Sequence, residues 1–388
     1  MKAEITACVI AGIISAVVTF LASFPLRKLA IKIGAVVAPD HRRIHKKPLP
    51  YLGGVAMMVA LGISIAISSV LKGFDPVFKA TSEPVGLFLG AFCVFLVGLL
   101  DDLFDLSAPA KLAGQILAAS ILYLFGITMY QFKIPFAGFI VLSPSLEPLI
   151  TALWVIGIAN AVNLIDGLDG LAAGIVAIAS GSLCVYGLKL MSEGYIDSSN
   201  LGVLISAVTC GICLGFLPVN FNPARIIMGD SGALLLGTLM AAATMLIGGR
   251  TPDVSGETYF FFAPLFIPFF ILGVPILDMI FAIVRRAASG KSVAHPDVDH
   301  LHHRLLRLGH GQRRAVGILW VWTAVLSAFV LYPTFDPNGN KIVPIGSAIL
   351  GAILYTWFRP GLGKQGGATD VELDVEDIPE TEKVAANE

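Results

Sequence analysis

Eleven runs of mostly apolar residues recur along the chain, at 4–24, 51–71, 84–100, 110–128, 147–163, 170–190, 201–218, 232–248, 260–284, 315–332 and 343–358. About 20 such residues in a helix match the ~30 Å of hydrocarbon in a bilayer. Lipid offers no partner to a backbone amide, so each run must close its own hydrogen bonds as a helix. The expected fold is an all-α polytopic membrane protein with about eleven transmembrane helices. Composition excludes the soluble alternative, because a chain that is 56% hydrophobic and 14% charged cannot cover a globular surface. The first run is longer than the ~7–15 residues of a signal-peptide core and lacks an A-x-A cleavage site, so it reads as a span.

An odd number of spans puts the termini on opposite sides, and Lys and Arg decide which side is which. The connection 25–50 holds Arg27, Lys28, Lys32, Arg42, Arg43, Lys46 and Lys47, and 285–314 holds Arg285, Arg286, Lys291, Arg304, Arg307, Arg313 and Arg314. Connections of the other parity carry only Lys72, Lys79, Lys133, Lys189, Arg250 and Lys341. The N-terminus is therefore expected outside, the C-terminus in the cytoplasm, and the connections after spans 1, 3, 5, 7 and 9 on the cytoplasmic face. The stretch "QFKIPFAGFIVL" at 131–142 is too interrupted to span and predicts a small external hairpin. Residues 1–358 form the membrane domain, and 359–388 an acidic cytoplasmic tail without apolar periodicity. The five cysteines, Cys8, Cys93, Cys184, Cys210 and Cys213, fall inside apolar runs, which predicts neither a disulfide nor a zinc site.

Acidic residues are costly near hydrocarbon, yet five gather at one predicted boundary. Asp101 and Asp102 follow the third run, Asp166 and Asp169 stand in "NLIDGLDGLAAG" after the fifth, and Asp230 in "NPARIIMGDSGALLLG" precedes the eighth. A single Asp at such a place is equally well explained as a helix cap. Adjacent Asp101 and Asp102 with three more on the same face repel one another, and a divalent cation removes that cost. Oxygen ligands open to water suit Mg²⁺, or Mn²⁺, shared with substrate phosphates. The same face supplies cations for phosphate: Lys47, Lys111, Arg285 and Arg286, and "HLHHR" with His300, His302, His303 and Arg304. Those histidines do not share one helix face and have no cysteine beside them, so they read as donors to a pyrophosphate or sugar. Arg304 adds a bidentate phosphate grip. Asp278, inside the ninth run, is open to two readings, functional acid or buried polar link. "GDSG" at 229–232 copies a serine-protease string but leads into a span.

Five strings together, "VGLLDDLFDLSAPAKLAGQ", "NAVNLIDGLDGLAAG", "FLPVNFNPARIIMGDSGALLLG", "PILDMIFAIVRR" and "HPDVDHLHHRLLRLGH", resemble the polyprenyl-phosphate N-acetylhexosamine-1-phosphate transferases. The likeness runs in order over most of 25–315. His-Leu-His-His resembles the branch that begins teichoic acid, O-antigen or common-antigen synthesis from UDP-N-acetylglucosamine. The muramoyl-pentapeptide transferases, the alternative within the family, carry three consecutive histidines. The resemblance implies transfer of a sugar 1-phosphate from a UDP-sugar to undecaprenyl phosphate at the cytoplasmic face of a bacterial inner membrane, with release of UMP. It makes Asp230 the chief Mg²⁺ ligand and Asn163 a co-ligand. Asp101 and Asp102 become the acidic pair near the metal, one of them orienting or deprotonating the lipid phosphate. Asn220 becomes a uridine contact, Asp166 and Asp169 line the nucleotide pocket, and Lys47, Lys111, Arg285, Arg286, His300, His302, His303 and Arg304 bind phosphates or sugar. A homodimer fits the family, and no nucleic-acid partner is expected. A secondary transporter is the rival from another class; it would place ionisable groups near the midplane, with inverted repeats.

Overall fold

The computed structural model describes residues 2–37, 49–134, 138–248, 276, 305–306, 310–335 and 346. The apolar runs at 260–284 and 343–358, the tail, and Arg42, Arg43, Lys47, Asp278, Arg285, Arg286, His300, His302, His303 and Arg304 lie outside the described residues. Among those described are ten helices: α1 (Lys2–Ile33), α2 (Gly53–Ser68), α3 (Asp75–Ala80), α4 (Glu83–Phe104), α5 (Ala108–Leu124), α6 (Glu147–Ile165), α7 (Leu171–Glu193), α8 (Leu201–Asn220), α9 (Gly229–Gly248) and α10 (Gln312–Phe335). Helices α1, α4, α6, α7, α8 and α9 are each long and apolar enough to cross a membrane, and α2 and α5 are shorter apolar helices. The chain is a polytopic, all-helical membrane protein. Two small antiparallel pairs complete it: β1 (Val36–Val37) with β2 (Leu49–Pro50), and β3 (Gln131–Ile134) with β4 (Gly138–Val141). The second pair is the hairpin expected at 131–142, with Gln131 opposite Val141 and Ile134 opposite Gly138.

Every described apolar run becomes a helix, with two departures. Helix α1 does not end near residue 24 but continues through Pro25 to Ile33. Pro25 forfeits only one backbone bond, and the added turns seat Ala30 against Ala35 and Leu52. Helix α3 is a six-residue surface helix whose Lys79 pairs with Asp75 at 2.8 Å, too short for apolar periodicity to reveal.

The helices pack by small residues. On α1 the buried stripe is Ala7, Ala11, Ser15, Thr19 and Ser23, while Ile5, Val9, Ile13, Val17 and Leu21, each one helical turn apart, are exposed. Large apolar groups outside and small ones inside are what a lipid solvent selects, since burial against a neighbour gains nothing over burial in acyl chains. Gly211 and Gly215 of α8 lie against the backbone carbonyls of Gly12 and Ala16 of α1, closer than any Cβ would permit. Ser15 Oγ also donates across this seam to the Val208 carbonyl at 2.9 Å.

Helix α9 is the axis of the bundle. All residues from Ser231 to Gly248 are buried, and it packs on α2, α4, α6, α7 and α8. Two contacts fix its first turn. A Cβ on Gly98 of α4 would stand 2.5 Å from Ser231 Cα, and the Gly53 and Gly54 amides of α2 donate to the carbonyls of Ile227 (3.1 Å) and Met228 (3.0 Å). The ends of α1, α4, α6 and α8 and the beginnings of α2, α5, α7 and α9 thereby meet at one end of the molecule. That shared end holds the acidic residues.

Candidate active site

Asp101 and Asp102 occupy the last turn of α4, within the helix rather than after it. Asp105 ends α4 in the left-handed region (φ 52°), and three residues later α5 starts with Lys111 in its first turns. This tight corner turns Lys111 back on α4. Its ammonium pairs with Asp101 and, at 2.8 Å, with Asp230 Oδ2. The Asp101 and Asp230 carboxylates thus share one ammonium. Asn163, in the last turn of α6, donates to Asp230 Oδ2 at 3.3 Å. Four side chains from four helices thus converge on one point.

Asp102, one residue along α4, points elsewhere. Its Oδ1 accepts the Asp230 backbone N–H at 2.8 Å, and its Oδ2 the Ser231 N–H at 3.0 Å. Asp101 Oδ1 accepts the Leu106 N–H at 2.9 Å and so closes its own corner. Both acids cap, but only Asp101 also faces the shared cation.

Asp166 is the C-cap of α6. Burial holds its carboxyl well above the usual carboxylate range, and the negative charges of Asp230, Asp102 and Asp169 push the same way. Hard oxygen donors from Asp101, Asp230 and Asn163 form a set that a divalent cation could share with substrate phosphate. Among the described residues, no three His, Cys, Asp or Glu side chains stand in ligating geometry.

Asp169 and Asn220 serve the walls. Asp169, 3% exposed, accepts from Asn222 Nδ2 (2.9 Å) and the Ala224 N–H (3.1 Å). Asn220, 2% exposed, accepts the Gly170 N–H at 3.0 Å and donates to the Ile226 carbonyl at 3.0 Å. Its amide is spent tying the 166–170 loop to the 221–228 loop.

Several contributors escaped the sequence reading. Gln115, one turn beyond Lys111, and Asn160, one turn before Asn163, exchange two amide bonds of 3.3 and 2.8 Å. Their spacing in "KLAGQ" and "NAVN" was the available signal, since each shares a helix face with a site residue. Asn222 also bonds Gln312 Oε1 at 2.6 Å, and Arg313 Nε donates to the Asn222 carbonyl at 3.0 Å. No local pattern connects those positions, which lie about ninety residues apart.

The profile of glycosyl transferase family 4 matches residues 84–248, the stretch that contains the α4, α5, α6 and α9 contributions. The chain is 36% identical over 351 residues to the decaprenyl-phosphate N-acetylglucosaminephosphotransferase of Mycolicibacterium smegmatis, covering 89% of this chain and 86% of the relative. It is 36% identical over 331 residues to the probable undecaprenyl-phosphate N-acetylglucosaminyl 1-phosphate transferase of Bacillus subtilis, covering 83% and 84%. Against the undecaprenyl-phosphate alpha-N-acetylglucosaminyl 1-phosphate transferase of Thermotoga maritima, identity is 30% over 288 residues, covering 74% and 78%. With most of both chains matched in each case, this chain belongs to glycosyl transferase family 4.

Proposed function

We propose that this protein transfers N-acetylglucosamine 1-phosphate from UDP-N-acetylglucosamine to a polyprenyl phosphate, giving a lipid-linked pyrophosphate sugar and UMP. The observation that carries the reading is the meeting of Asp101, Lys111, Asn163 and Asp230 at one end of an apolar bundle. Relatives named for N-acetylglucosamine phosphate transfer to decaprenyl or undecaprenyl phosphate support it.

The reaction brings an anionic phosphate against an anionic pyrophosphate, so charge must be balanced before a bond can form. Lys111 supplies one fixed cation. Mg²⁺ is the proposed second, held by Asp230, Asp101 and Asn163, and when bound it supplies charge neutralisation at the pyrophosphate. Of the acidic pair, Asp101, which pairs with Lys111, is the one we propose to orient or deprotonate the incoming lipid phosphate. Asp166 is proposed to line the nucleotide pocket with Asp169, and Asp169 and Asn220 hold the 166–170 and 221–228 loops. The oxygen of the lipid phosphate attacks the sugar-linked phosphorus, the bond to the UMP phosphate breaks, and UMP leaves with the electron pair. Lys47, Arg285, Arg286 and the His300–Arg304 stretch remain proposed phosphate and sugar contacts. Eleven spans, a cytoplasm-facing site in the bacterial inner membrane, and a homodimer belong to the same reading.

The test is UMP release by the purified protein. We expect it only when UDP-N-acetylglucosamine, polyprenyl phosphate and Mg²⁺ are all present, and with EDTA it should stop. Equal UMP release without the lipid, or none with all three in folded protein, would refute the assignment.

A further inference from the structure

We infer that Asp102 is a positioning residue: its carboxylate fixes the first turn of α9, and so aims the Asp230 side chain, without binding metal or moving a proton itself. The inference rests on the reading above. The first amides of a helix have no partner within it, and α9 begins at Gly229, so the Asp230 and Ser231 amides are two such groups. Asp102 takes both, one on each oxygen, at 2.8 and 3.0 Å. An anion there also complements the positive end of the helix dipole. The surroundings are built to this fit. Gly229 has φ +70°, and a Cβ on it would lie 2.5 Å from Asp102 Oδ2. Gly98, one turn earlier on α4, lets that helix close on Ser231, so the Asp102 backbone is held against α9 as well.

The two neighbouring acids are thereby divided in role. Asp101 pairs with Lys111, which also holds Asp230, and belongs to the charge cluster. Among the described residues, the hydrogen bonds of the Asp102 carboxylate go to the Asp230 and Ser231 backbone amides and not to the cluster's side chains. Rotation or fraying of that first turn would swing the Asp230 carboxylate away from Lys111 and Asn163, and a shift of roughly 1 Å in a reacting group can cost about 100-fold in rate.

The experiment compares Asp102→Asn, Asp102→Ala, Gly229→Ala and the double Asp102→Asn/Gly229→Ala in the full-length protein in detergent. Wild-type UMP release is measured first, and its absence would sink the function rather than this inference. Given active wild type, Gly229→Ala, which changes no ionisable group, should reproduce Asp102→Asn. Both should lower kcat by about 10–100-fold, raise the Mg²⁺ needed for half-maximal rate, and shrink the Mg²⁺-induced rise in Tm measured without substrate. The double variant should be little worse than either single one, because both break the same contact. Asp102→Asn, with one acceptor oxygen left, should keep more of the Mg²⁺ response than Asp102→Ala. The acid limb of the kcat/KM profile should stay where it is in wild type. An acid limb moved or flattened by Asp102→Asn alone would overturn the inference. So would a Gly229→Ala protein with wild-type rate and Mg²⁺ response, losses that multiply in the double variant, or an Asp102→Asn protein that cannot be folded.

Discussion

The Lys111 ammonium stands between the carboxylates of Asp101 and Asp230, and no other described cation pairs with either. Removing it should leave two acids facing each other with nothing between them. Lys111→Met is expected to lower UMP release by about 100–1000-fold, the scale for loss of one preorganised donor to developing negative charge, while the protein still elutes as a folded species. Near-wild-type turnover in that variant would remove Lys111 from the site. Most of these residues could be read in the sequence because acids are rare in so apolar a chain, and each one near a span must have a reason. Their division of labour could not. Asp101 and Asp102 are neighbours of the same type, and only the α4 rotation sends one to Lys111 and the other to the α9 amides. Asn220 shows the same limit: the resemblance makes it a uridine contact, and no local pattern marks the bonds that its amide makes with the Gly170 and Ile226 backbones.

Pairs of helices set the distances between these side chains, and the α5–α6 seam is the clearest instance. Gln115, 3% exposed, and Asn160 exchange hydrogen bonds one turn below Lys111 and Asn163, so the seam fixes how far apart those two site residues emerge. Replacing one partner strands the other amide, at a cost of about 1–3 kcal/mol, while replacing both by apolar groups restores most of it. Gln115→Leu should therefore lower the apparent Tm in detergent, and Gln115→Leu/Asn160→Leu should recover much of the loss. A Gln115→Leu protein as stable as wild type would show that the pair does not hold the seam. Spans are legible because length and apolarity alone define them, and the hairpin because its aromatic and β-branched residues surround a glycine. Helix–helix contacts are not legible in that way. Gly98 against Ser231, or Gly215 against Ala16, joins residues more than a hundred positions apart, and a glycine in an apolar run carries no mark of the partner it will meet. The continuation of α1 past Pro25 was hidden for a related reason: its Lys and Arg read as a connection, although a helix can carry them past the last apolar turn.

Alternation of the helices gives the molecule two unlike ends. The connections 105–107, 166–170 and 221–228 join at the acidic end, together with the β1–β2 pair, which is tied to Ile227 through the Pro50 carbonyl at 2.9 Å. The β3–β4 hairpin and the 194–200 connection lie at the other. A soluble UDP-sugar made in the cytosol can be used only if the acidic end faces it, which agrees with the excess of Lys and Arg in 25–50 and 285–314. Thiol labelling in spheroplasts tests this orientation. The five native cysteines all sit in α1, α4, α7 and α8, where an impermeant maleimide has little access, so single replacements can be followed above a low background. Ser145→Cys, exposed between the hairpin and α6, should react in intact spheroplasts. Ala108→Cys, exposed at the start of α5 beside the acidic corner, should react only after permeabilisation. The reverse pattern would put the acidic end outside, away from nucleotide sugar, and the proposed reaction could not then proceed in the cell whatever the purified protein does in detergent.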